Sequence, residues 1–199
     1  MGWSFFFTNP FGILLGILAG IITLFVIFVV VTAVLAVAGG PGACTPGGGP
    51  ISITAANATA FQDKWDAMDD TLDMGQAASA DFNESEVSSR ADNYISDESD
   101  APFEDVRVCL HDGFGEGSAK LSVLGIDVEV KVTGTMTLTG TTPVANITKI
   151  EVGAVPGFAT DLIEGIVEDA IEEGLKDIEL NHDYAPTISE GNANIQGTP

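Results

Sequence analysis

Two histidines, each followed by an aspartate, come nearest to a metal-ligand pattern in this chain. His111-Asp112 and His182-Asp183 would offer imidazole and carboxylate ligands suited to zinc if the fold brought both pairs together. The alternative is that each pair lies at the solvated end of a strand and binds nothing. We favour solvated strand ends, so the sequence predicts no metal site.

Motifs that carry catalysis are missing from the sequence. It has no G-x-S-x-G elbow, and no glycine-rich loop runs into the Lys-Ser or Lys-Thr of a phosphate-binding loop. The glycines of "GFGEGS" fit a turn between strands. The acidic stretches "DDTLD" and "SDESD" lack the spacing and the glycine of a calcium loop. We therefore expect no catalytic residues, no cofactor and no enzymatic activity.

Charge and cysteine content narrow the possible partners. Twenty-nine Asp and Glu against seven Lys and Arg give a net charge of −22, and no basic residue precedes Lys64. Such a surface repels nucleic acid and anionic lipid headgroups alike, so we expect no nucleic-acid partner. Cys44 and Cys109 form no C-x-x-C motif. They would pair in an oxidising compartment if the fold brought them together, which the sequence does not show.

A long uncharged stretch near the N-terminus indicates that the chain is anchored in a membrane. Residues 11–38 contain no charged side chain in 28 positions. As a helix they would reach about 42 Å, more than the ~30 Å hydrocarbon core of a bilayer. The alternative is a cleaved signal peptide ending at "AVA", but the leader, residues 1–10, has no positive charge. We favour a single transmembrane helix with the C-terminal domain outside the cytoplasm, so the membrane is the first expected partner.

Small residues recur along that span. Gly12, Gly16 and Gly20 follow one another at intervals of four in "GILLGILAG". This G-x-x-x-G pattern lets two membrane helices approach closely, which predicts a homodimer through the span. The alternative is that glycine is simply frequent in membrane helices.

The remaining sequence divides into a linker and one domain. Glycine and proline crowd residues 39–50, "GGPGACTPGGGP", and favour neither helix nor strand, so this stretch is predicted to be a juxtamembrane linker. Residues 51–199 then form the extracytoplasmic domain. Apolar side chains at helical spacing predict a helix over 55–72, capped by Asn57 or Thr59, and a second short helix from near Asn83 or Ser85.

From Phe103 onwards the hydrophobic period changes from helical to two. The stretch "IDVEVKVTGTMTLTG" places Val128, Val130 and Val132 on one face and charged or threonine side chains on the other. Similar alternation over 103–110, 118–125 and 144–153 predicts half-buried antiparallel strands, and two short strands are expected after residue 175. The fold class is therefore α+β.

One amphipathic helix stands among these strands. "PGFATDLIEGIVEDAIEEGL" carries a continuous apolar stripe that includes Phe158, Leu162 and Ile166, with acidic side chains mostly on the other side. The stripe must be covered by the sheet, by a ligand, or by both. Gly165 weakens the middle of this helix, and we expect it to mark a close approach by the sheet or by an acyl chain.

The order of these segments resembles a known group of proteins. The stretches "NESEVSS", "VEVKVTG" and "IEVGAVP" resemble motifs of the YpmS-like single-span extracytoplasmic proteins of unknown function. More distantly they resemble the lipid-binding proteins of mycobacterial lipomannan elongation. The resemblance covers roughly residues 51–197. It implies a curved antiparallel sheet wrapped around one long helix, as in half of a tubular lipid-binding domain, and it implies no catalytic residue.

Two functions follow from the sequence as hypotheses. The first is a membrane-anchored extracytoplasmic domain that binds or shuttles a lipid or another hydrophobic ligand. Its expected apolar groove is lined by Phe158, Leu162, Gly165, Ile166, Val130 and Val132. The alternative is a structural or interaction module of a cell-surface assembly, pilin-like or scaffold, that binds no ligand.

Overall fold

The computed structural model describes residues 40–97, 103–123, 126–138, 142–153, 155, 157–176, 178 and 180–199. The N-terminal tail, the predicted span over 11–38 and its Gly12, Gly16 and Gly20 lie outside the described residues. Of the helices that the structure does describe, none combines the length and the apolar character needed to cross a membrane.

The described residues form an α+β fold with three helices and two antiparallel sheets. In chain order the elements are α1 (Ala55–Asp73), β1 (Ala78–Asn83), α2 (Glu84–Asp97), β2 (Phe103–His111), β3 (Phe114–Val123), β4 (Ile126–Thr137), β5 (Val144–Val152), α3 (Gly157–Lys176), β6 (Asp183–Ser189) and β7 (Asn192–Thr198). One sheet has the strand order β2-β3-β4-β5 and the other the order β1-β7-β6.

The α+β class is thus confirmed, whereas the single sheet around a single long helix is wrong. The main reason is β1, which the sequence analysis did not predict. It pairs with β7 from Ala78 opposite Gly197 to Asn83 opposite Asn192, and β7 also pairs with β6. The two C-terminal strands therefore form a sheet of their own instead of closing the four-stranded one.

The four-stranded sheet and α3 form one unit, which we call the α3 lobe. Cross-strand pairs in its register, such as Val130 opposite Val152 and Val132 opposite Ile150, place apolar side chains on one face. This face, the inner face, packs against Ile163 and Val167 of α3. The alternation of period two predicted over residues 126–138 is therefore explained by one covered face and one polar face.

The three-stranded sheet and α1 form the second unit, the α1 lobe. Its core contains large side chains from both helix and strands: Met68, Leu72, Phe82, Leu138, Leu180, Tyr184 and Ile195. The helical spacing predicted for α1 is confirmed, because Met68 and Leu72 lie in this core and Phe61 and Trp65 pack against it. The helix begins at Ala55 as predicted, but the predicted caps are wrong: Thr54 is the cap, and its hydroxyl accepts a hydrogen bond from the Asn57 backbone amide at 3.1 Å.

The segment before α1 is attached to both lobes along its length. The Gly42 amide donates to the Glu129 carboxylate at 3.2 Å, and the Cys44 amide donates to the Ser118 hydroxyl at 3.2 Å. Cys44 then forms a disulfide with Cys109 of β2. We call residues 40–50 the strap, because they cross the face of the four-stranded sheet opposite α3.

The strap ends on a buried carboxylate. Glu84 at the start of α2 accepts hydrogen bonds from the amides of Gly47 and Gly48, each at 2.9 Å, and from the Leu110 amide at 2.8 Å. A Cβ on Gly191 would overlap the backbone of Gly48, so the two chain segments pass within glycine contact distance. Residues 40–50, which fall within the predicted juxtamembrane linker, have no helix or strand but pack against the folded domain.

Candidate functional site

The structure brings together part of the predicted apolar groove. Val130 is buried on the inner face, and Val132 and Ile166 pack against the same cluster. Leu162 instead lies on the side of α3 and is 59% exposed. Phe158 belongs to the first turn of α3, and its side chain lies outside the described residues.

The sheet does not approach Gly165 closely, so this part of the expectation is wrong, while a close approach by an acyl chain stays a prediction. No described atom apart from its chain neighbours and its own helix backbone lies within 4 Å of a Cβ placed there. The reason is its position on the helix: at about 100° per residue, Gly165 lies about 200° around from Ile163, which faces the sheet. Its missing side chain therefore does not bring the sheet closer.

The centre of the interface between α3 and the sheet is closed by side chains. Ile163 and Val167 are 2% and 3% exposed and contact the cluster of Leu121, Val128 and Val130. Aliphatic side chains packed at this density leave no room for a ligand between them. Any site on the inner face must therefore lie beside this contact.

An apolar region of the inner face lies next to this contact, one row of cross-strand neighbours beyond Val130. Val108 lies opposite Gly117, Gly117 opposite Val132, and Val132 opposite Ile150, so the four residues cross all four strands. All four are only partly buried. A Cβ placed on Gly117 would meet no described atom within 4 Å apart from its chain neighbours. We call these four residues the inner row; they form an apolar strip with space above its middle.

The sequence analysis predicted one residue of the inner row, Val132, as part of the groove and missed the other three. Val132 was included through the alternation of β4. Gly117 was assigned only to a turn, and Val108 only to a strand, because the register that places them side by side depends on pairing between strands. Glycine within a strand can mark close backbone approach or open space, and only the packing decides which.

A cavity that is open to solvent lies in the α1 lobe. It has a volume of about 420 Å³ and lies between α1 and β1, lined by Lys64, Ala67, Met68, Thr71, Ala78, Ser79, Ala80 and Asp81. Its one cation is engaged within the chain, because the Lys64 Nζ binds the Glu86 carboxylate at 2.7 Å and the Asp81 carbonyl at 2.8 Å. This cavity was not predicted, since β1 was not predicted.

Each histidine has its own carboxylate partners. The His111 ring nitrogens lie 3.5 Å from Glu116 and 3.4 Å from Glu190, while His182 Nε2 lies 3.1 Å from Asp73. Within the described part of the chain, no three His, Cys, Asp or Glu side chains are arranged to hold a metal ion.

Several of the few cations are paired with carboxylates on the surface. Lys149 lies 2.9 Å from Glu151, and the pKa of Glu151 is lowered by the hydrogen bond from Lys149. Lys120 donates to Asp105, which lowers the pKa of Asp105 and raises that of Lys120. Pairing these cations leaves the large excess of acidic groups uncompensated, so the surface disfavours anionic ligands.

Comparison with family models, with curated proteins and with solved structures gave no match for this chain. The resemblance to the YpmS-like proteins therefore stays a prediction from sequence motifs. Function has to be argued from the geometry of the inner row and of the strap.

Proposed function

We propose that this chain is a membrane-anchored extracytoplasmic domain that binds the acyl chain of a lipid, or a similar hydrophobic ligand, along the inner row. The observation that carries the proposal is the open apolar strip of Val108, Gly117, Val132 and Ile150 beside α3. An acyl chain removes apolar surface from water without needing a charged partner, which suits a strip with no charged side chain.

The disulfide supports an extracytoplasmic location for the domain. Disulfides persist in oxidising compartments and are rare in reducing ones, and Cys44 and Cys109 form the one cysteine pair that the sequence offers. The strap that carries Cys44 begins directly after the apolar stretch of residues 11–38. A domain fixed this close to a membrane anchor would stay near the bilayer surface, where a lipid ligand is available.

Gly117→Val tests ligand binding without disturbing the packed core. Valine suits a strand, and its side chain would fill the space above the inner row. The full-length protein in detergent is titrated with a fluorescent monoacylglycerol, whose head group is uncharged, and bound lipid is identified by extraction and mass spectrometry. We expect Gly117→Val to weaken binding at least tenfold while the urea midpoint of unfolding is kept.

Thr135→Val is the matched control, because Thr135 is an exposed residue of β4 on the opposite face from Val132. It places the same valine on the opposite face of the sheet and should leave binding unchanged. Equal binding by wild type and Gly117→Val would remove the inner row as the site. A wild-type protein that carries no lipid and does not bind the fluorescent monoacylglycerol would contradict the proposed function itself.

One observation favours the alternative, an interaction module without a ligand. Ile163 and Val167 already close the centre of the interface between α3 and the sheet, as in an ordinary protein core. If lipid binding fails in the titration above, an anchored scaffold domain becomes the better proposal.

A further inference from the structure

Strand β5 forms an open edge of the four-stranded sheet. The Gly153 amide donates to the Glu129 carbonyl at 2.8 Å, so Glu129 and Gly153 are a hydrogen-bonded pair. Such pairs alternate along an antiparallel ladder, which makes Lys131 and Glu151 the next one. The backbone N–H and C=O groups of Val152, which lies between Glu151 and Gly153, therefore point away from β4 to the open edge, and so do those of Ile150 on the other side of Glu151.

Edge strands are usually protected from pairing with other chains by charged side chains, lysine above all. On β5 the exposed charges are Lys149 and Glu151, whose side chains are 61% and 36% exposed and lie 2.9 Å apart. They have opposite signs and sit at equal distances on either side of Ile150. An antiparallel copy of the same strand would therefore meet attraction instead of repulsion.

We propose that β5 pairs with β5 of a second copy of this chain about a two-fold axis through Ile150. Lys149 then lies opposite the partner's Glu151, and Glu151 lies opposite the partner's Lys149, as cross-strand neighbours of opposite charge. Ile150 faces the partner's Ile150 on the inner face, which covers a side chain that is only partly buried in one copy. The two four-stranded sheets become one continuous sheet of eight strands.

The paired stretch of β5 is short, and this limits the conditions under which the dimer can form. The register of β4 and β5 shifts between Thr133 and Gly134, and such an irregularity ends regular pairing at this point of the edge. About five residues from each copy can take part, which is small for a dimer formed free in solution. Two copies anchored in one membrane meet at a much higher effective concentration, so the pairing rests on the anchor of the proposed function.

A second copy is the partner that this edge fits best. The chain carries a net charge of −22, so two copies repel one another over most of their surfaces. Association then requires a local match of opposite charges, and the spacing around Ile150 provides the same match twice. An unrelated strand would need its own acid and base at that spacing.

Charge exchange tests the pairing. Full-length chains with donor or acceptor dyes at the C-terminus are placed in phosphatidylcholine vesicles at low ionic strength, and Förster transfer is measured against the protein-to-lipid ratio. Lys149→Glu and Glu151→Lys should each weaken association about tenfold, because two facing pairs become repulsive. The double variant Lys149→Glu/Glu151→Lys restores both attractions and should return association to within about twofold of wild type.

Lys120→Glu is the matched control, since it makes the same charge change on an exposed residue of the interior strand β3. It should leave association unchanged. Dimers formed through the span would not depend on the charges of β5. Single variants that associate as strongly as the control would therefore contradict the pairing. A double variant that associates as weakly as the single variants would contradict it as well. Flotation of the chain with the vesicles is scored separately: a chain that does not float lacks the anchor, which overturns the anchored function as well.

Discussion

The two lobes bury their apolar surfaces in different ways. The α1 lobe is filled by large rings, with the Phe61 and Phe82 centroids 4.5 Å apart and those of Trp65 and Tyr184 5.1 Å apart. The α3 lobe is filled by aliphatic side chains of one helix and one sheet face, and its inner row is only partly covered. Aromatic rings from the helix and the strands fill the core of the α1 lobe. In the α3 lobe, part of the apolar sheet face extends beyond the area that α3 covers.

The largest effect should come from removing a ring of the α1 lobe. Phe82 is fully buried, and Phe82→Ala should lower the free energy of unfolding by about 3–5 kcal/mol through lost burial and the cavity left behind. Val167→Ala in the α3 lobe removes only two methyl groups and should cost about 2 kcal/mol. Urea unfolding followed by tryptophan fluorescence measures both, and a loss at Phe82 no larger than that at Val167 would show that the ring of Phe82 is not packed as described.

Two glycine-to-alanine substitutions should change the free energy of unfolding in opposite directions. A Cβ on Gly197 of β7 would lie 2.5 Å from the Leu72 Cδ1, and Leu72 is itself buried in the core of the α1 lobe. Gly197→Ala should therefore cost about 1–3 kcal/mol through overpacking. Gly117→Ala meets open space in the α3 lobe and should gain about 0.5–1 kcal/mol, because alanine loses less freedom in a strand. A loss of stability at Gly117 would mean that the inner row is already filled.

Local patterns predicted much of this molecule, and pairing between distant segments explains what they missed. The helical spacing of Phe61, Trp65, Met68 and Leu72 and the alternation of β4 are signals within a few residues, and both led to correct elements. Strand β1 has the weak pattern "ASADFN", and it exists because β7, over a hundred residues later, pairs with it. No local signal distinguishes such a strand from a loop.

The candidate site shows the same limit. Val130, Val132 and Ile166 were predicted from periodicity and lie where the inner face meets α3. The space above Gly117 depends on which strands are neighbours and on where α3 lies, and the sequence encodes neither locally. The contacts of the strap could not be predicted for a related reason: glycine and proline indicated the absence of helix and strand, but no local signal indicated that the buried carboxylate of Glu84 accepts hydrogen bonds from the strap backbone.

A pH dependence should arise in the core of the α1 lobe and not in the core of the α3 lobe. Tyr184 is 2% exposed, its hydroxyl donates to the Asp69 carboxylate, and burial together with this hydrogen bond raises the pKa of Tyr184 well above that of a free tyrosine. The described core of the α3 lobe contains only hydrocarbon side chains and offers no such group. The two lobes should therefore respond differently to alkaline solution.

The sign follows from proton binding. Below about pH 10 tyrosine is neutral in both states, so the contribution of Tyr184 to stability is complete. Above that pH the unfolded chain releases the proton while the folded chain keeps it, so the free energy of unfolding should fall by about 1.4 kcal/mol per pH unit. Tyr184→Phe should remove this part of the slope in urea titrations between pH 9 and 11, whereas Tyr94→Phe, at a residue that is 38% exposed, should keep it. Equal slopes in the two variants would mean that Tyr184 ionises in the folded protein, and the α1 lobe would then be less tightly closed than its rings indicate.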